Sequence, residues 1–223
     1  MVAVELRVMV APVFGTNCCV LSSGTDCVVI DAGAGVADAV ARLVDDEGLT
    51  PRAVLATHGH ADHTWDAGDL CARYEIPMRL HEADAYRLAD PFGTLSPALE
   101  AALGLHRDDY RAPAVVEPFG TPGGSAVLTF GELVLHALHA PGHTEGSTLY
   151  RSDDEVILTG DVLFAGSVGR TDLHGGSGQV MAETLRDVVR SLDPALAVVP
   201  GHGPATTVER ELRTNPFLAM ERT

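Results

Sequence analysis

An α/β domain is predicted, on two observations. Short β-rich runs alternate along the chain with segments of helical spacing, and three of those runs lead straight into loops bearing histidine or aspartate. Sites on loops at strand ends are where α/β proteins place their chemistry. The 223 residues, 46% of them hydrophobic, are enough for one sizeable core, so a single domain over 1–223 is expected.

The elements follow in order. Residues 4–10 and 17–21 read as strands, and 27–30 as a short buried strand ending at Asp31-Ala-Gly. Residues 36–46 have helical spacing, with Val36, Val40, Leu43 and Val44 on one side. The strand 53–56 delivers the chain into Thr57-His-Gly-His60, and a helix is expected from about 64 to 74, with Trp65 and Tyr74 as packing residues. Residues 91–122 mix a helical stretch near 97–103 with Pro- and Gly-rich turns, and 81–122 is expected to shape the substrate pocket. Strands return at 126–129, 133–138, 147–150 and 156–158. An amphipathic helix is predicted over 178–192, then a last buried strand over 195–199 that ends at Pro200-Gly-His-Gly203.

Charge narrows the function. The formal charge is −16, a sign that repels phosphate backbones, so nucleic acid is not expected as a partner. All fifteen basic residues are arginine, which excludes a lysine nucleophile, Schiff-base chemistry and a Walker-type phosphate lysine. No run of apolar residues is long enough to span a membrane, and 1–10 reads as a first strand rather than a secretion signal. Cys18, Cys19, Cys27 and Cys71 form no CxxC pair. They are expected as buried free thiols in a reducing compartment, which makes the cytoplasm the expected location.

The strongest local signal is His58-Gly-His60-Ala-Asp62-His63, four metal-capable side chains on one short segment after a strand. Three glycine-flanked or post-strand positions add candidates: His143 in Pro-Gly-His-Thr, Asp161 after an apolar run, and His202 in Gly-His-Gly. One histidine or aspartate in a turn is usually a cap or surface residue. Together these seven are enough for two metals sharing a carboxylate. Of the other histidines, His139 reads either as a core residue or as support behind a ligand, and His81, His106, His136 and His174 as surface or capping residues. No G-x-S-x-G elbow is present.

H-x-H-x-D-H, P-G-H-T-x-G-S, G-D and G-H-G, in this order, resemble the metallo-β-lactamase superfamily from Asp31 to the C-terminus. The resemblance implies a four-layer αββα sandwich with metals between the sheet edges. It assigns His58, His60 and His143 to a first metal, Asp62, His63 and His202 to a second, and Asp161 as the bridge. Asp31 matches an aspartate that steadies the ligand loop. Asp161 argues against the true β-lactamases that use cysteine at that position. The segment from Phe164 to Asp172 and the tail Thr214-Asn-Pro-Phe-Leu218 resemble short bacterial hydrolases related to glyoxalase II. The chain ends at residue 223, soon after His202, so the helical C-terminal domain that grips glutathione in full-length glyoxalase II is not expected. Arg170 matches a basic residue near the substrate conjugate and is a candidate for a substrate carboxylate.

The implied activity is metal-dependent hydrolysis of a small thioester or ester. A hydroxide bridging two divalent ions (zinc foremost, iron or manganese also suitable) is the nucleophile, with Asp62 and Asp161 as catalytic carboxylates. Persulfide dioxygenases resemble the same motifs, including Gly169-Arg-Thr-Asp172. They imply a single iron on the residues matching His58, His143 and Asp161. Lactonases of the superfamily share the ligands too, and a metal-stabilised binding module is the non-catalytic reading.

Overall fold

The computed structural model describes residues 3–94, 101, 103–121, 123–152 and 155–219. The first sheet has five strands in the order β1 (Val4–Val10), β2 (Asn17–Ser23), β3 (Asp26–Ile30), β4 (Thr50–Leu55) and β5 (Met78–Arg79). Its first three strands are antiparallel, and β3–β4–β5 run parallel. The second sheet contains β6 (Ser125–Phe130), β7 (Leu133–His139), β8 (Thr148–Ser152), β9 (Val156–Gly160), β12 (Ala197–Pro200) and β13 (Thr206–Thr207), in the order β13-β12-β9-β8-β7-β6. A hairpin of β10 (Leu163–Phe164) and β11 (Ser167–Val168) stands apart. The helices are α1 (Ala37–Glu47), α2 (Ala61–Thr64), α3 (Ala67–Tyr74), α4 (Gly178–Asp187), α5 (Val208–Thr214) and α6 (Pro216–Ala219).

Three apolar cores separate four layers. Val40 and Val44 of α1 with Leu70 of α3 pack on Cys18, Val20, Cys27, Val29 and Val54 of the first sheet. The opposite faces of the same strands, through Cys19, Leu21, Val28, Ile30 and Leu55, meet Leu128, Leu133, Leu135, Tyr150 and Leu158 of the second sheet. The far face of that sheet, through Leu149, Ile157 and Val198, is covered by Met181 and Leu185 of α4 and Val208 of α5. Successive side chains on a strand point to opposite faces, so a strand buried on both sides must read as a continuous apolar run, as Cys27–Ile30 does. Each fully buried Leu or Ile contributes about 1.5–3 kcal/mol. The result is the αββα sandwich.

Several boundaries differ from expectation. The helix over 64–74 is broken, because Asp66 leaves the helical line and its Oδ2 accepts the N–H of Ala37 at 2.8 Å, capping α1 instead. The helix over 178–192 stops at Asp187 and continues as a 3₁₀ turn, Val189–Ser191. The last buried strand is Ala197–Pro200. The helical stretch near 97–103 lies largely outside the described residues. Around it the chain forms 3₁₀ turns at Glu82–Ala89, Pro91–Thr94 and Arg107–Asp109. Trp65 packs with Phe92 and Leu105, and Tyr74 against the first core, as expected of packing residues. All four cysteines are buried and free. Among the described residues, no helix is long and apolar enough to cross a membrane.

Candidate metal centre

Strands β3, β4, β7, β9 and β12 end, respectively, before Asp31, the 57–63 loop, the 140–147 loop, Asp161 and the 201–203 loop. These five C-terminal ends converge. His58 Nε2, His60 Nδ1 and His143 Nε2 form a triangle with edges of 3.0, 3.0 and 3.2 Å. The residues are buried, with exposures of 1%, 6% and 2%. The bonds behind two of the rings settle where their protons sit. His143 Nδ1 donates to the Arg170 carbonyl at 2.7 Å, and His58 Nδ1 lies 3.2 Å from Thr57 Oγ1, whose own proton goes to Asp31 Oδ2. Bare lone pairs therefore point at one another across the triangle.

A second group lies beside the first. His202 Nε2 is 3.1 Å from Asp62 Oδ2 and 3.3 Å from His63 Nε2, while His63 Nε2 is 3.6 Å from Asp62 Oδ2. Its outer members are more open, with side-chain exposures of 24% for Asp62 and 29% for His202. Asp161 stands between the groups. Its Oδ2 is 3.6 Å from His143 Nε2, and its Oδ1 is 3.4 Å from His63 Nε2 and 3.7 Å from His202 Nε2.

Charge divides along the same line. Burial pushes His58 well below its ordinary value, reinforced by the neighbouring histidines, and lowers His60 to about 4. Both are held neutral, the form that ligates metal. In the second group burial opposes charge but is outweighed. Asp31, Asp62 and Asp161 raise His63 well above the usual histidine range. His63 in turn holds the carboxyls of Asp62 and Asp161 below theirs, with His202 helping at Asp62 and His143 at Asp161.

The donor set fits divalent cations. At metal–nitrogen distances of ~2.0–2.1 Å, tetrahedral geometry puts ligand nitrogens about 3.3 Å apart, close to the observed edges. Asp161 Oδ1 is buried without a hydrogen-bond partner, as is His60 Nε2 on the far side of its ring. A Cβ at Gly201 would overlap Asp161 Oδ1 and His63 Cε1, so the second group needs glycine there. Among the described residues, three sets of ligand atoms lie within 4.8 Å of one another: His58, His60 and His143; His58, His63 and Asp161; and Asp62, His63 and His202. Asp31 is buried at φ 60°, an uncommon conformation for a residue with a side chain. Its Oδ1 accepts the Thr57 N–H at 2.7 Å and its Oδ2 lies 3.0 Å from His63 Nδ1.

The other candidates divide. Arg170 contributes its carbonyl to His143, whereas its exposed guanidinium pairs with Asp172 at 2.7 and 2.8 Å. His81 is a correction to the surface reading. It is buried, and its Nδ1 accepts the Ala83 N–H at 3.2 Å, so only the capping expectation fits. His139 stacks on His81 at 4.0 Å and bonds the Glu145 carbonyl at 2.8 Å, which supports the loop of His143 without touching the ligand triangle. His106 and His174 are exposed and His136 partly so. Sequence reasoning missed Asn17, whose Nδ2 donates to Pro200 O at 2.9 Å and Gly203 O at 3.0 Å and so frames His202. It also missed Asp84, buried against two ligand loops. The available signal was a polar residue next to an apolar run, which is too common to single them out.

Known proteins resemble this chain over nearly its whole length. It is 33% identical over 213 residues to the probable metallo-hydrolase YqgX of Bacillus subtilis, covering 95% of this chain and 96% of that one. It is 29% identical over 217 residues to the hydroxyacylglutathione hydrolase GloC of Haemophilus influenzae, covering 96% and 98%. The crystal structure of the BLEG-1 B3 metallo-beta-lactamase superposes with a TM-score of 0.82 at 31% identity, covering 96% of this chain and 100% of that one. The di-iron-bound form of TTHA1623 does so at 0.75 and 33%, with the same coverage. The metallo-beta-lactamase superfamily model itself matches residues 11–202. By sequence, by fold and by the order of its histidine and aspartate motifs, the chain belongs to the metallo-β-lactamase superfamily of metallo-hydrolases.

Proposed function

We propose that this protein hydrolyses a small thioester or ester in the manner of glyoxalase II, at a centre of two divalent metal ions. His58, His60 and His143 would hold one ion, Asp62, His63 and His202 the other, and Asp161 both. The observation that carries the reading is Asp161, whose two oxygens face different ligand groups. A single iron on His58, His143 and Asp161 would use only one of those two oxygens, so the placement of Asp161 favours two ions. The identity to a hydroxyacylglutathione hydrolase and to a di-iron protein supports the same choice.

When bound, the ions supply Lewis acidity and bring the pKa of a coordinated water from ~15.7 towards ~7. The protein's residues do the rest. Asp62, ionised and partly open, accepts a hydrogen bond from the attacking water and orients it over the substrate carbonyl. Burial around His58, His60 and His143 keeps bulk water from that side of the centre. A thiol leaving group has a pKa of ~8.5 and departs without a strong general acid. None of the fifteen basic residues is a lysine, in keeping with that. Arg170, exposed beside the loop of His143, is the arginine offered to a substrate carboxylate.

The test is release of free thiol from an S-(2-hydroxyacyl)glutathione by metal-loaded protein, with oxygen uptake on glutathione persulfide measured in parallel. Metal-dependent thiol release without oxygen uptake is expected. Oxygen uptake without hydrolysis would make the dioxygenase the correct reading, and full hydrolysis by metal-stripped protein would defeat both.

A further inference from the structure

Asp84 sits in the 3₁₀ segment Glu82–Ala89 and is fully buried. All its acceptor capacity is used. Oδ2 accepts the Gly59 N–H at 2.8 Å and the Thr144 hydroxyl at 2.7 Å. Oδ1 accepts the Gly146 N–H at 2.9 Å and Arg87 Nε at 3.2 Å. Gly59 lies between His58 and His60, and Thr144 follows His143, so one carboxylate grips the backbone of both loops that supply the three-histidine group. These loops come from different sheets, after β4 and after β7.

The glycines show how close the grip is. A Cβ on Gly59 would lie 2.9 Å from the Asp84 carbonyl oxygen, and one on Gly146 would lie 2.7 Å from Asp84 Cβ and Cγ. Both motif glycines are thus explained by the 3₁₀ segment lying flat on the two loops. Arg87 balances the buried charge and extends the clasp, with Nη2 2.5 Å from Glu145 Oε2 and 2.9 Å from the His174 carbonyl. The other group has different side chains behind it: Asp31 Oδ2 faces the His63 ring directly, touching His58 only through Thr57, and Asn17 holds the loop of His202.

We infer that Asp84 is a positioning residue that sets the metal affinity of the three-histidine group without setting that of Asp62, His63 and His202. The inference rests on the two-ion reading above. Outer partners of this kind are worth about 10–100-fold in metal affinity. Asp84→Asn is isosteric but turns a donor NH2 towards donors, since every partner of Asp84 donates. Thr144→Val removes one of the four bonds at similar volume and serves if Asp84→Asn fails to fold.

The experiment titrates metal-stripped wild type, Asp84→Asn, Thr144→Val and Asp31→Asn with cobalt(II). Site-resolved absorption and chelator competition are followed, with circular dichroism as the check on folding. Wild type is expected to take two ions. Asp84→Asn should lose about 10–100-fold at one site while the other keeps its affinity, Thr144→Val should lose less at that same site, and Asp31→Asn, which faces His63 directly and His58 only through Thr57, should weaken the opposite one more. Wild-type affinities at both sites in Asp84→Asn, or equal losses at both in the folded variants, would overturn the inference. Failure of the wild type to bind two ions would instead overturn the two-ion reading on which it rests.

Discussion

The two ligand groups share Asp161 but are built differently. His58, His60 and His143 are buried and gripped from behind by Thr57, the Arg170 carbonyl and the Asp84 clasp, and burial holds His58 and His60 neutral. Asp62, His63 and His202 carry opposite charges side by side, and two of the three reach solvent. Burial with neutral donors makes a tight seat for a cation, whereas ionised groups at an open edge can also meet water and substrate. On the proposed function, the closed group would hold an ion and the open group would work on what arrives.

The largest effect that tests this contrast is at the shared residue. Asp161→Ala should bring hydrolysis to background and reduce bound metal at both groups, whereas His58→Ala should empty chiefly the closed one. Metal analysis and circular dichroism on the same samples check both outcomes. Next is Asp31→Asn, which loses the acceptor facing His63. A loss of about 10–100-fold in affinity at the open group, with a smaller one at the closed group through Thr57, is expected from cobalt titration. Arg170→Ala sharpens the contrast from outside, because it keeps the carbonyl that supports His143 and removes only the guanidinium. A raised KM with unchanged metal content is expected in steady-state kinetics.

The smallest effect lies away from both groups. Burial, then His139, lowers His81 below its ordinary 6.5, against a hydrogen bond with the Thr121 backbone and the charges of Asp84 and Glu82. The folded state thus prefers neutral His81, so this contribution is intact above about pH 6.5 and is lost as pH falls through the depressed folded value. Denaturant melts of His81→Asn and wild type at saturating metal should converge in stability as pH drops from 7 to 5, by at most about 1.4 kcal/mol per pH unit.

Within both the closed and the open group, the members were unequally legible. His58, His60, Asp62 and His63 crowd one segment, and such local density is visible in any sequence. His143, Asp161 and His202 gained meaning only together and through the resemblance they complete. Strands buried on both faces announced themselves as apolar runs, but two-residue strands such as Met78–Arg79 carry no periodicity to read. Asp66 broke a helix because its best partner was the start of another one. Asp84 and Asn17 stayed hidden for the same reason, since the ligand loops they bind lie 25 to 62 and 183 to 186 residues away, and only the folded chain brings them together.

Metal identity and stoichiometry of the purified, untreated protein, measured by plasma mass spectrometry, test the shared centre most directly. About two divalent ions per chain is the predicted result. Close to one iron, with other metals near background, would contradict it.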